Sequence, residues 1–210
     1  EAPAAPPQAT EDFGFASELS AITGINHLRV AHLRIPPGLR AYPPLAMDDL
    51  EIFSFVLEGA PDLWMDGYLH RLNEGEGHAL HAGTGIAHTL INNTKTDVRV
   101  LVMTEAFRRN SRAVHPLDVS ADENLKKMNM FWTDAPKQKL GPNGGKPGDE
   151  EGRKRGSDAM HWRDILSKKA SRYPKSTEDQ TYPARFGRRA RFSRIGVHLV
   201  LLNPGRRPSY

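Results

Sequence analysis

Residues 51–72, EIFSFVLEGAPDLWMDGYLHRL, decide the fold. Glu51, Phe53, Phe55 and Leu57 alternate with Ile52, Ser54 and Val56 until Glu58 and Gly59 stop the run, which is the period of an extended strand. A second short strand spans residues 62–65. The pair Asp66-Gly67 then separates it from a third at 68–72, and Asp-Gly between two apolar runs is the signal of a two-residue hairpin turn. Working outward, the same pattern predicts strands at 27–35, closed by Pro36, Pro37 and Gly38, and at 77–81, 88–92 and 98–103. About seven short strands at this spacing specify a closed sandwich or jelly-roll barrel.

Composition agrees with an all-β reading. The 210 residues hold 18 Gly and 16 Pro, which favours many turns over long helices. There is no Cys, so disulfides, thiolate metal sites and a cysteine nucleophile are excluded. The longest apolar run, 197–202, is interrupted by His198, far short of the roughly 20 apolar residues of a membrane-spanning helix. With 26% charged residues and a mean hydropathy of −0.57, the chain reads as soluble.

Charge is unevenly distributed. Residues 151–210 carry fifteen Lys or Arg against five acids, net +10, which leaves 1–150 with 14 basic and 20 acidic groups, net −6. A basic segment attached to an acidic body meets something negative: the body itself, another subunit, a nucleic acid or an anionic surface. Residues 1–12 are rich in Pro and Ala and are read as a flexible arm. Because the sequence starts at Glu1 without Met, removal of a presequence and an organellar location, mitochondrial or plastid, are expected. Residues 108–156 read as a tail and linker, with Gly, Pro and charge concentrated at 139–156.

Between Gly38 and Asn92 the chain resembles a cupin. Members of that superfamily carry a first motif of Gly, five residues, His-x-His, three or four residues, Glu, six residues, Gly. Their second motif is Gly, five residues, Pro-x-Gly, two residues, His, three residues, Asn. Here the first would run from Gly38 through Glu51 to Gly59, and the second from Gly75 through Gly83 and Gly85 to His88 and Asn92, with two extra residues before the histidine. The resemblance covers about residues 24–103. It implies a cupin-type jelly-roll β-barrel at 13–107, followed by a mostly irregular basic extension, 157–210, that ends in a strand.

The resemblance also implies a pocket in which three histidines and a glutamate hold a transition metal, and the sequence departs from it there. Counted back from Glu51, the first-motif histidines fall on Leu45 and Met47, and His81 replaces the second-motif proline. Leucine has no donor atom, and a thioether suits mainly Cu(I). The degenerate pocket is expected to comprise Leu45, Met47, Glu51, Phe53, His88 and Asn92, with Glu51, Phe53, Phe55, His88 and Leu90 facing one interior. No catalytic residue, no metal ligand set and no cofactor is assigned. The functional expectation is a metal-free, non-catalytic binding or structural accessory subunit of a larger assembly. The rival is a metal-dependent isomerase, dioxygenase or lyase that acts on a small polar metabolite through Glu51, His88 and a substitute histidine, for which His78 and His81 lie nearest.

The C-terminal stretch repeats the layout of residues 25–43: shifted by 167, Val30, Pro37, Gly38 and Arg40 meet Val197, Pro204, Gly205 and Arg207. With His161-Trp162-Arg163-Asp164, which is similar to the lead-in before cupin domains of two-domain relatives, this resembles the start of a second cupin. Residues 192–203 are expected to form a buried strand on the barrel or on a partner subunit. Partner contact is assigned to Arg185, Arg188, Arg189, Arg191 and Arg194; their mixture with Phe186 and Phe192 is also compatible with RNA. Protein subunits, or a second copy through the C-terminal strand, are the expected partners.

Overall fold

The computed structural model describes residues 13–154, 159–170 and 181–205. The Pro/Ala-rich arm at 1–12 lies outside the described residues, as do Arg155, Arg172, Lys175, Arg206 and Arg207. The elements run β1 (Phe15–Glu18), α1 (Leu19–Thr23), β2 (Leu28–Ile35), β3 (Ala46–Met47), β4 (Ile52–Glu58), β5 (Asp62–Met65), β6 (Tyr68–Arg71), β7 (Glu76–Leu80), β8 (His88–Ile91) and β9 (Val98–Glu105). Then follow β10 (Ala113–Val114), α2 (Val119–Lys127), β11 (Arg153–Lys154), β12 (Met160–His161), α3 (Trp162–Ile165), β13 (Thr181–Arg185), α4 (Phe186–Ala190) and β14 (His198–Leu202). Every barrel strand expected from the alternation is present, within one or two residues at its ends.

Two antiparallel sheets face each other. One has the order β1-β2-β9-β4-β7-β12; the other is β6-β5-β8 with β11 added in parallel on β6. Leu33, Ile35, Val56, Val98 and Val100 of the larger sheet meet Leu63 and Leu90 of the smaller, and Leu72 just after β6, in one buried cluster. Each such side chain contributes about 1.5–3 kcal/mol on burial. The Asp66-Gly67 turn forms as its residues demand: φ is 43° and 85°, the left-handed region that a two-residue hairpin requires, and Met65 pairs with Tyr68. Gly67 is also fixed by contact, since a Cβ there would sit 2.2 Å from the Gly141 nitrogen.

Residues 108–154 do not behave as a linker. Trp132 packs with Trp64, Leu69 and Ile91 on the outer face of the smaller sheet. The Trp64 indole donates to the Asn143 carbonyl at 3.0 Å, and Asn143 is 2% exposed. Fully buried Asp62 receives both Arg71 and Arg153, which fastens the far end of the segment to β5. These Gly- and Pro-rich residues follow the barrel surface because their backbone groups find partners on it: Gly141 N–H donates to Asp66 and Asn143 N–H to Gly67.

The extension is more regular than expected. β13 and β14 form an antiparallel ribbon, Thr181 opposite Leu202 through Arg185 opposite His198. Ahead of β14, Ile195 and Val197 are buried with Phe186 and Ala184 against Phe53. The C-terminal segment thus covers the outer face of the larger sheet. The strand itself pairs with β13 and not with the barrel, and Leu201 and Leu202 remain 41% and 44% exposed.

Candidate functional site

The barrel holds an open-mouthed cavity of about 430 Å³. Leu45, Met47, Leu50, Ile52 and Val102 give it apolar walls, His88 and Thr104 contribute polar atoms, and Glu18, Arg29 and Phe107 stand among its lining residues. The strand pairing explains the set. Ile52 lies opposite Thr104 on β9 and opposite Leu80 on β7, and His88 lies opposite Met65 on β5. Leu45 and His88 exchange backbone hydrogen bonds at 3.0 and 3.2 Å, so the loop before β3 brings Leu45 beside the imidazole.

Glu51, Phe53 and Phe55 do not belong to this cavity, which corrects the expectation that they face inward. Alternation on β4 directs Ile52, Ser54 and Val56 to the interior and Phe53 and Phe55 to the outer face. The side chain of Glu51, 3% exposed, accepts the Ser193 N–H at 2.8 Å and the Ser193 hydroxyl at 3.0 Å through Oε1. Its Oε2 accepts the N–H groups of Arg194 and Ile195 at 3.0 and 3.1 Å. Burial raises its pKa, but these donors outweigh burial and hold the carboxyl below its ordinary value. Both faces of β4 are apolar and both are covered, so alternation alone did not reveal which face looks inward.

A sequence signal for the correct phase exists. In the cupin pattern six residues separate the glutamate from the closing glycine, and counting back from Gly59 lands on Ile52. The four-residue spacing then places the two histidine positions at Leu45 and Met47. All three positions line the cavity, and all three are apolar. His88 is the fourth and alone keeps its donor. One imidazole with leucine, methionine and isoleucine at the other three positions does not fit a three-histidine, one-carboxylate metal site. Among the described residues no group of three or more His, Asp and Glu is arranged to hold a metal ion.

The remaining expected site residues separate. Asn92 is fully buried and pins a turn, its Nδ2 donating to the Ile35 and Thr96 carbonyls at 2.7 Å, so it does not line the cavity. Of the substitute histidines, His78 shares the interior face with Ser54, its cross-strand partner, and is 6% exposed. His81 is exposed and stacks edge-on against Phe192, with centroids 5.5 Å apart. His88 is 3% exposed, its ring meets Tyr42 edge-on at 5.8 Å, and its Nδ1 has no hydrogen-bond partner among the described residues. Burial, joined by the nearby His78 and opposed by backbone groups of Ile86 and Leu45, pushes its pKa down to about 4, so the imidazole is neutral at pH 7.

The arginines divide as well. Arg194 pairs with Glu105 at 3.2 Å and serves the attachment of the extension. Arg185, Arg188, Arg189 and Arg191 line a groove with Asp164, and none of the four has an ion pair among the described residues. Arg191 caps α4 with φ 60°, a left-handed conformation usually taken by glycine.

No protein-family model matches the chain, and no curated protein does. Solved structures do. Oxalate decarboxylase from Bacillus subtilis superposes with a TM-score of 0.53 at 15% identity, over 95% of this chain and 56% of that one. A sugar phosphate isomerase of the cupin superfamily from Silicibacter pomeroyi matches at 24% identity and a TM-score of 0.47, over 49% of this chain and 64% of that one. The chain thus spans less than two thirds of the length of either. With the two-sheet barrel described above, the likeness to oxalate decarboxylase shows the fold: an all-β, cupin-type jelly roll. Among the described residues no helix is long and apolar enough to cross a membrane.

Proposed function

We propose that the chain is a metal-free, non-catalytic cupin-fold protein that acts as a binding or structural accessory subunit of a larger assembly. The observation that carries this reading is the replacement of three ligand positions by Leu45, Met47 and Ile52, whose side chains line the cavity in place of metal donors. The metalloenzyme alternative also lacks its carboxylate. Glu51 is engaged by four donors from the extension, and releasing it would leave Ser193, Arg194 and Ile195 with unpaired backbone groups.

The groove of Arg185, Arg188, Arg189 and Arg191 supports contact with an acidic protein surface, because four guanidinium groups that have no ion pair among the described residues favour a carboxylate-rich partner. An RNA backbone would satisfy the same groups, and the salt dependence of binding separates the two: a slope near −0.7 per neutralised phosphate belongs to the nucleic acid. A native mass measurement on the assembly isolated from source cells tests the proposal. Recovery of the chain in a complex of defined mass with other proteins is expected. Recovery as a free monomer that turns over a small metabolite would overturn it.

A further inference from the structure

Two hollows meet at α4. One, of about 600 Å³, lies between the barrel and the extension, and its lining includes Met65, Leu80, Ile86 and Met160 together with Arg189 and Arg191. The other, of about 680 Å³, is the groove of Arg185, Arg188, Arg189 and Arg191. Arg189 and Arg191 line both, so the hollows adjoin. Among the described residues no carboxylate lines the first, Asp164 alone lines the second, and none of the four arginines has an ion pair. We infer that the two hollows form one docking surface for an acidic segment of a partner protein, whose apolar side chain enters the first while its carboxylates meet the arginines. This rests on the reading of the chain as an accessory subunit and adds the chemistry of the segment it receives.

The rings beside the arginines favour protein over nucleic acid. Single-stranded nucleic acids are held by aromatic faces on which bases stack. Here those faces are already engaged. Phe186 is 1% exposed and stands 5.0 Å from Phe53, while Phe192 meets Phe53 edge-on at 6.4 Å and His81 at 5.5 Å. What the first hollow offers instead is aliphatic and thioether surface, and methionine adapts its shape to an incoming side chain. The guanidinium groups supply the other half of the match, since each can hold a carboxylate through two parallel hydrogen bonds.

The test measures fluorescence anisotropy on the full chain with three labelled probes: a heptapeptide of alternating Glu and Asp with Leu at its centre, the same peptide with Gly at its centre, and an oligouridylate of matching charge. The Leu peptide is expected to bind saturably. The Gly peptide should bind about tenfold more weakly, as for the loss of one buried leucine side chain, and the oligouridylate no better than the Gly peptide. Arg189→Ala combined with Arg191→Gly, the glycine suiting the left-handed backbone at 191, should weaken both peptides at least about tenfold with the Tm held. Ile86→Asn should narrow the gap between the two peptides. No saturable binding of the Leu peptide to the native chain, equal binding of the two peptides, tighter binding of the oligouridylate, or unchanged affinity in the folded double variant would overturn the inference. Each of these leaves the metal-free reading standing, which falls instead to stoichiometric metal or metabolite turnover measured on the same sample.

Discussion

The carboxylate of Glu51 accepts the backbone N–H of Ile195 at 3.1 Å, across 144 residues of chain. With the neighbouring bonds from Ser193 and Arg194, it places a buried anion in a cradle of three consecutive amides, the arrangement by which backbone turns bind anions. The residue beside the motif's glutamate position therefore ties the C-terminal segment to the barrel. That contact fixes the outer layer formed by Phe186, Ile195 and Val197 over Phe53.

Glu51→Gln should loosen this tie. Hydrogen bonds to a charged acceptor are worth about 1.5–3 kcal/mol, so amide exchange at residues 193–195 should accelerate roughly ten- to hundredfold while the barrel amides hold. The pH sense follows from the lowered pKa: the carboxylate contributes fully above its ordinary value of 4.5 and loses its contribution as pH falls through the lower folded value. Corrected for the intrinsic pH dependence of amide exchange, protection of these amides should therefore fall below pH 4.5 in the native chain and stay constant over the same range in the Gln variant.

Phe186→Ala should cost about 3–5 kcal/mol, because Phe186 is 1% exposed and its ring stands 5.0 Å from that of Phe53. For a chain of this length that corresponds to a fall in Tm of about 10 °C by differential scanning calorimetry. Truncation after Gly156 should expose Phe53 and Phe55 and cause aggregation. A truncated chain that stayed monomeric with its Tm unchanged would mean the extension is dispensable.

Restoring the lost donors together, as Leu45→His, Met47→His and Ile52→Glu, should create a metal site with His88, since all four side chains line one cavity. Without metal the triple variant should melt below the parent chain, because polar groups replace buried hydrocarbon. Added Zn²⁺, Ni²⁺ or Mn²⁺ should raise its Tm by several degrees and leave the parent unaffected. No metal response in the folded variant would contradict the assignment of Ile52 to the glutamate position.

Charge reversal at Arg188 and Arg189 should change Tm by no more than about 1 °C, since neither side chain has an ion pair among the described residues. The same variant should lose affinity for an acidic partner at least tenfold at low salt, measured by surface plasmon resonance on the isolated assembly partner. Equal affinity would remove the groove from the interface.

How much was legible in the sequence depends on what kind of signal each residue left. The Asp66-Gly67 turn and the strands around it were legible because local chemistry decides them. The loss of Leu45 and Met47 as ligands was legible because a hydrocarbon has no donor, whatever the fold. The direction of Glu51 was not, since Phe53 and Phe55 look equally suited to a barrel interior and to a sheet face covered by another layer. Only the fixed distance to Gly59 carried that information. The packing of residues 108–154 was hidden for a related reason: Asn143 and Gly141 are bound through backbone groups, which composition does not report.

The central claim is that the barrel's ligand positions hold hydrocarbon where a metal would be coordinated. Elemental analysis by inductively coupled plasma mass spectrometry, on chain purified without chelators, measures it directly. The account predicts less than about 0.1 equivalent each of Fe, Mn, Ni, Cu and Zn, unchanged by His88→Ala. Near-stoichiometric content of any one of them, lost in the His88→Ala variant, would contradict it.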